Sequence, residues 1–179
     1  MGAVIKCHAV YETPFWREAG LNARAESDRG PCKITCDNSS PESEAGVLTG
    51  FVLGSDAREW GRRGPEKREG AVLECFARFF GDEAFRPLAY AETDWGAEPY
   101  SRGGYAGIPV PGMLLDHGAA LAEPVGRIYW AGAETASEWN GYMDGAVESG
   151  DRVAHEVLSD LAGAGFSQGV STQGYTHRG

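Results

Sequence analysis

The segment from Gly126 to Gly150, GRIYWAGAETASEWNGYMDGAVESG, constrains the fold more than any other part of this chain. Its strand-forming residues at 128–130 are followed by Gly132, which permits a sharp turn. A helix begins among the small residues at 141–145, and its first turn offers free backbone N–H groups and the positive end of the helix dipole. A strand, a polar turn and a helix start in this order are typical of domains that bind dinucleotide cofactors.

The same segment resembles the C-terminal flavin-contacting motif of the flavin-containing amine oxidases, the family of monoamine, polyamine and L-amino-acid oxidases. Two upstream stretches, VIKCHAVYETPFW at 4–16 and WGAEPYSRGGY at 95–105, resemble segments of that family in the family's order. The resemblance covers about residues 3–160. It implies an FAD-dependent enzyme that oxidises a small-molecule amine to an imine and reduces O2 to hydrogen peroxide.

Members of that family are more than twice as long and begin with a strand carrying G-x-G-x-x-G, the Rossmann motif that holds the FAD pyrophosphate on a helix N-terminus. This sequence contains no such motif. The resemblance therefore implies the C-terminal part of an oxidase. The alternatives are a truncated or noncatalytic fragment, or one half of a split oxidase that needs a separate N-terminal FAD-binding chain.

The formal net charge of −10 argues against nucleic acid and an anionic membrane as partners, because both would repel the protein. No apolar run of about 18 residues is present, so no membrane span is expected. The four cysteines form no C-x-x-C pair, which indicates neither a metal site nor a disulfide framework. We expect reduced thiols and a cytoplasmic protein.

Hydrophobic patterns predict strands at 3–11, 32–36, 47–53 and 86–91, and helices at 65–80, 113–121 and 141–161. The predicted fold class is α+β. A mixed sheet with covering helices forms a partial substrate-binding domain at residues 1–120. Residues 121–162 supply the closing strand and helix of a Rossmann-like FAD domain, and the Gly- and Ser-rich residues 163–179 form a disordered tail.

Three residues are candidates for catalysis. Tyr105 and Tyr142 match the two aromatic positions that flank the substrate amine in monoamine oxidases, and aromatic faces attract amines. Lys6 matches the lysine that in this family binds a water beside the flavin N5, which implies a role in proton transfer or oxygen activation. Taken outside the resemblance, either tyrosine could be a packing residue, and Lys6 could be an exposed strand lysine.

The resemblance also assigns cofactor contacts, with the Met143 N–H aimed at the pyrimidine edge of the flavin. Glu134 could instead favour the helix N-terminus, and Trp95 could be a core residue. Animal monoamine oxidases join FAD to a cysteine where this chain has Gly104, so FAD should be held noncovalently here. The full set of predicted cofactor contacts is Trp95, Gly132, Glu134, Gly141, Tyr142, Met143 and Ala146.

Overall fold

A computed structural model describes residues 1–163 and divides the chain into two compact units that meet in sequence between Ile108 and Pro109. The boundary predicted near residue 120 stays a prediction. The predicted tail begins at the end of the described part, and residues 164–179 lie outside it.

The first unit is built on one five-stranded sheet, in the spatial order β2-β3-β4-β1-β5. Its strands are β1 (Val4–Tyr11), β2 (Ala25–Glu26), β3 (Cys32–Asp37), β4 (Gly46–Leu53) and β5 (Ala89–Asp94). Every neighbouring pair is antiparallel, so the prediction of a mixed sheet was wrong. Strand direction depends on how the connections run, and a hydrophobic pattern does not report it.

The predicted strands at 3–11, 32–36 and 47–53 are confirmed as β1, β3 and β4. The strand predicted at 86–91 corresponds to β5. It begins at Ala89 instead of Arg86, because Pro87 has no N–H to donate to the neighbouring strand. Leu88 makes the first hydrogen bond of this region, from its N–H to the Val10 carbonyl oxygen at 2.7 Å.

One face of the sheet carries the hydrophobic core. In β1 the side chains of Ile5, Cys7, Ala9 and Tyr11 are buried on this face, as strand alternation requires. The predicted helix at 65–80 is confirmed as α3 (Pro65–Phe80), which covers the same face with buried residues that include Phe76.

The helix lies very close to the sheet at Gly50 of β4. A methyl group built on Gly50 would stand 2.8 Å from Phe76 Cε1 and 2.9 Å from Cys32 Sγ. The absence of a side chain at this position therefore lets α3 pack directly on the sheet.

An ion pair fixes α3 to the edge strand β5. Arg68 donates from Nε to Glu92 Oε1 at 2.7 Å, and Tyr90 donates its hydroxyl to Glu92 Oε2 at 3.0 Å. Both charged side chains are nearly buried, with 13% and 12% exposure. The first unit also contains a 3-10 turn at Asp82–Phe85 and two short helices not predicted from the sequence, α1 (Phe15–Glu18) and α2 (Gly54–Trp60).

The second unit is helical in its described part. It contains α4 (Met113–His117), 3-10 turns at Gly118–Leu121 and Ala133–Thr135, and the long helix α5 (Met143–Gly163). The helices predicted at 113–121 and 141–161 correspond to α4 with the following turn and to α5.

The predicted closing strand of a Rossmann-like sheet does not form within residues 1–163. Only an isolated antiparallel bridge joins Val125 and Ile128. A strand needs a neighbour to satisfy its backbone groups. Here the Trp130 carbonyl oxygen instead accepts a hydrogen bond from Arg152 at 2.9 Å. No helix in the described residues is both long and apolar enough to cross a membrane.

Candidate active site

The sheet face opposite the core carries Lys6, the first of the predicted site residues. Alternation along β1 places Lys6 and His8 on this face, and the strand register places Thr49 and Phe51 of β4 beside them. Cys36 of β3 lies opposite Thr49 and completes the group. We call these five residues the Lys6 face.

Two predicted catalytic residues, Lys6 and Tyr105, lie near the ring of Phe51. The Lys6 ammonium nitrogen lies 5.7 Å from the centre of the Phe51 ring, within the range of a cation–π contact. The centre of the Tyr105 ring lies 6.4 Å from the centre of the Phe51 ring, and the two ring planes are tilted by 60°. Lys6 and Tyr105, which are far apart in sequence, are thus brought to one place by the sheet and the loop after β5.

Burial, followed by the nearby Cys36 sulfur, raises the pKa of the Tyr105 phenol. The residue is nevertheless 67% exposed, so it is not buried in the core. Lys6 is half-buried on a face that the core does not cover, so it is neither a core lysine nor a fully exposed one.

Trp95 begins the loop that carries Tyr105. Its N–H donates to the Val4 carbonyl oxygen at 3.1 Å, which ties the start of the loop to the first residue of β1. The side chain is 36% exposed, so it is not a core tryptophan. A methyl group built on Gly104 would touch Trp95 Cβ at 3.9 Å, so the two residues are neighbours.

Sequence reasoning missed the other members of the Lys6 face. His8 and Thr49 are joined by a hydrogen bond of 2.8 Å between Nδ1 and Oγ1. The spacing of two between Lys6 and His8, and between Thr49 and Phe51, was the available signal, because alternate residues of a strand share a face. The register that brings the two strands together was not readable from the sequence.

The second unit holds the other predicted residues in one continuous stretch, 132–146. Internal hydrogen bonds shape it: the Gly132 N–H donates to Ser149 Oγ at 2.9 Å, and the Gly141 N–H to the Ala133 carbonyl oxygen at 3.0 Å. Asn140 Nδ2 donates to the Glu134 carbonyl oxygen at 2.9 Å. The predicted contacts Gly132, Glu134, Gly141, Tyr142, Met143 and Ala146 therefore all lie in this turn and the first residues of α5.

Close contact between this turn and α5 depends on Gly145. A methyl group built there would stand 2.9 Å from Ala136 Cβ and would also clash with the Trp139 carbonyl oxygen. Only a residue without Cβ lets the turn cross the helix at this distance. Within the same turn, Trp139 and Tyr142 pack edge to face, with ring centres 6.0 Å apart.

The start of α5 leaves backbone donors free. Among the described residues, the N–H groups of Met143, Asp144 and Gly145 meet no hydrogen-bond acceptor, whereas the Ala146 N–H donates to the Tyr142 carbonyl oxygen at 3.1 Å. Met143 and Tyr142 are 87% and 65% exposed. The helix start is therefore open to an electron-rich ligand.

Comparison with known proteins decides the family. Residues 1–158 match the protein family described as "Flavin containing amine oxidoreductase". The chain belongs to this family. A protein of Dictyostelium discoideum named "Probable flavin-containing monoamine oxidase A" is 48% identical over 161 residues, which make up 90% of this chain and 35% of that protein. "Amine oxidase [flavin-containing] B" of Sus scrofa is 40% identical over 88% of this chain and 31% of its own length.

Solved structures of flavin-family relatives match the same part of the chain. Putrescine oxidase, in a wild-type structure described as bound to putrescine, superposes with a TM-score of 0.83 at 38% identity, over 87% of this chain and 35% of that one. Cyclohexylamine oxidase from Brevibacterium oxydans IH-35A gives a TM-score of 0.86 at 33% identity, over 90% and 36%. The chain thus spans about a third of the length of the relatives that it matches.

Proposed function

We propose that this chain supplies the C-terminal part of the active site of an FAD-dependent amine oxidase. The observation that carries the proposal is that Lys6 and Tyr105 both lie near the Phe51 ring, on a sheet face that the core leaves uncovered. Family membership agrees with it, because relatives of this family are named as amine oxidases.

In the first unit, the proposal gives each residue a separate task. The Tyr105 ring presents an aromatic face to the substrate amine, which aligns it without adding a competing charge. Lys6 holds a water or O2 through its three N–H donors and supports proton transfer. Trp95, half-exposed beside Gly104, contacts the flavin ring from the loop.

In the second unit, the stretch 132–146 fits a noncovalently bound FAD. The free N–H of Met143 suits the electron-rich pyrimidine edge of a flavin, and the small residues Gly132, Gly141 and Ala146 leave room for a flat ring. Glu134 would contact the ribityl side, and Tyr142, exposed in the same stretch, would offer an aromatic face to an amine. Gly104 offers no thiol for a covalent link.

FAD held by the stretch 132–146 would supply the redox chemistry, in which an amine and O2 give an imine and hydrogen peroxide. The residues of this chain bind and orient the reactants and exclude water from the site. The substrate class proposed is a small primary or secondary amine.

The first test is the visible absorption spectrum of the purified chain, recorded with and without added FAD and again after desalting. We expect flavin bands that survive desalting, and amine-dependent hydrogen peroxide in an oxidase assay. A protein that is colourless after incubation with excess FAD and desalting would overturn the proposal for this chain.

Tyr105→Ala should lower kcat/KM for amines about tenfold or more, because the aromatic face that aligns the amine is lost. Tyr100→Ala is the matched control, since Tyr100 lies in the same loop and is 100% exposed. Equal losses in the two variants would contradict the role given to Tyr105.

A second candidate is a half-site that needs a separate N-terminal FAD-binding chain. The exposure of apolar side chains on α5 favours it, with Met143 and Val147 exposed to 87% and 65%. Flavin retention and oxidase activity that appear only after an N-terminal FAD-binding chain is added would select this reading.

A further inference from the structure

The hydrogen bond between His8 and Thr49 lies within the Lys6 face but plays no part in the proposed oxidation. Its geometry fixes the imidazole, because Thr49 is only 1% exposed and holds Nδ1 at 2.8 Å. The other ring nitrogen, Nε2, meets no protein partner in the described residues. One nitrogen of His8 is thus anchored, and the other is available to a ligand.

The position of this free nitrogen follows from the strand. Lys6 and His8 are two residues apart on β1 with both side chains on one face, which separates them by about 6–7 Å. A ligand whose amine is held by the Tyr105 ring, beside Lys6, therefore reaches His8 with a group about four carbons away.

The charge on His8 decides what that group can be. Burial, followed by the positive charge of Lys6, lowers the pKa of His8, so the imidazole is neutral near pH 7. The other titratable groups around this face are the Cys36 thiol and the Tyr105 phenol, whose pKa values are both raised, mainly by burial. A neutral imidazole donates or accepts one hydrogen bond, depending on its tautomer.

A second cation on the ligand would find no carboxylate on the Lys6 face. The nearest acidic residue that the register places on this side of the sheet is Glu26 of β2, three strands from β1 and therefore about 14 Å away. Glu26 is also paired with Arg24 at 3.6 Å. A hydroxyl is therefore favoured over an ammonium at the far end of the ligand.

We propose that His8, oriented by Thr49, is a specificity-determining residue that selects amines carrying a neutral hydroxyl about four carbons from the nitrogen. This inference rests on the proposed amine oxidase function. His8 acts by binding the substrate, and Thr49 acts as a positioning residue through His8.

Three matched amines test it: pentylamine, 4-aminobutanol and putrescine, which end in a methyl, a hydroxyl and an ammonium group at similar lengths. We expect the FAD-loaded wild-type protein to oxidise 4-aminobutanol with a kcat/KM roughly 3- to 10-fold above that for pentylamine, and above that for putrescine. This factor is the usual worth of one neutral hydrogen bond.

In His8→Leu the ratio of kcat/KM for 4-aminobutanol to kcat/KM for pentylamine should fall to one or below. In Thr49→Val this ratio should fall to a value between those of the wild type and His8→Leu. His155→Leu, which removes an exposed histidine of α5, is the matched control and should keep the wild-type ratio. The inference is overturned, while the proposed function stands, if His8→Leu keeps the wild-type ratio or if the wild type prefers pentylamine or putrescine. If none of the three amines is oxidised, the proposed function fails as well.

A binding measurement on the wild-type chain avoids any folding defect of the variants. The chain has four histidines, so 15N-labelled imidazole signals can be assigned individually. We expect 4-aminobutanol to shift the His8 Nε2 signal and pentylamine to leave it in place, with the His155 signal constant throughout. A His8 signal that responds equally to both amines overturns the inference.

Discussion

At the scale of single residues, Asp37 shows how one carboxylate organises a corner of the first unit. Its Oδ2 accepts from the indole of the fully buried Trp16 at 2.9 Å and from Arg17 Nε at 2.7 Å, and its Oδ1 accepts from the Ser39 N–H at 2.9 Å. Burial alone raises the pKa of this carboxyl, but the hydrogen bonds from Ser39, Trp16 and Arg17 outweigh it and lower the pKa to about 2. The ionised form is therefore part of the folded state.

Asp37→Asn should destabilise the protein by about 1–2 kcal/mol at pH 7, because hydrogen bonds to a charged acceptor are replaced by weaker ones. A carboxyl whose pKa is lowered on folding stabilises the fold above its unfolded pKa, and that contribution is lost as the pH falls from about 4 to about 2. The difference from wild type in urea unfolding should therefore shrink across this window. Asp28→Asn, at an exposed position, is the control and should change little at any pH.

At the scale of elements, β1, β3, β4, α3 and α5 were predictable because each carries a clear apolar pattern or a helix boundary such as Pro65 or Gly81. The four-residue helix α1 and the two-residue strand β2 are too short to show any period. The bulge between Cys32 and Ile34, which sets Ile34 opposite Phe51, also left no pattern in the sequence. The Lys6 face could therefore be predicted residue by residue along β1, but not across the sheet.

The candidate residues of the second unit were easier to select from the sequence, since they lie within one stretch of it. What the sequence could not show is that the 128–130 segment joins no sheet within the described residues, where Ile128 makes only an isolated bridge to Val125. Pairing depends on a neighbouring strand, and a strand's own residues do not reveal whether it has one.

Helix α5 offers a matched pair of glycines that tests the turn against which it packs. Gly145→Ala should lower the melting temperature and weaken FAD binding about tenfold, because the methyl group meets Ala136 Cβ and the Trp139 carbonyl oxygen. Gly150→Ala faces open space, so it should raise helix stability by about 1 kcal/mol and leave FAD affinity within roughly twofold. Melting curves and flavin fluorescence titrations measure both effects. Similar behaviour of the two variants would contradict the close contact at Gly145.

At the scale of the whole molecule, buried residues are distributed unevenly between the two units. The hydrophobic core, from Val4 to Ala84, lies entirely in the first unit. The described residues of the second unit bury only Gly145 and Ser149. A unit that buries so little apolar surface gains little to offset the entropy of ordering its backbone. The second unit should therefore be the less stable of the two, and the more responsive to a ligand.

Hydrogen exchange read by mass spectrometry tests this distribution directly. Without FAD, we expect the slowest amides in β1 and β4, where both neighbouring strands and α3 protect them, and much faster exchange along α5. If FAD binds as proposed at the free N–H groups at the start of α5, adding it should slow exchange in residues 132–146 and leave the core of β1 unchanged. If α5 exchanges as slowly as β4 without FAD, the second unit is stable on its own. If FAD protects only the first unit, its contacts are not those assigned to Met143 and its neighbours.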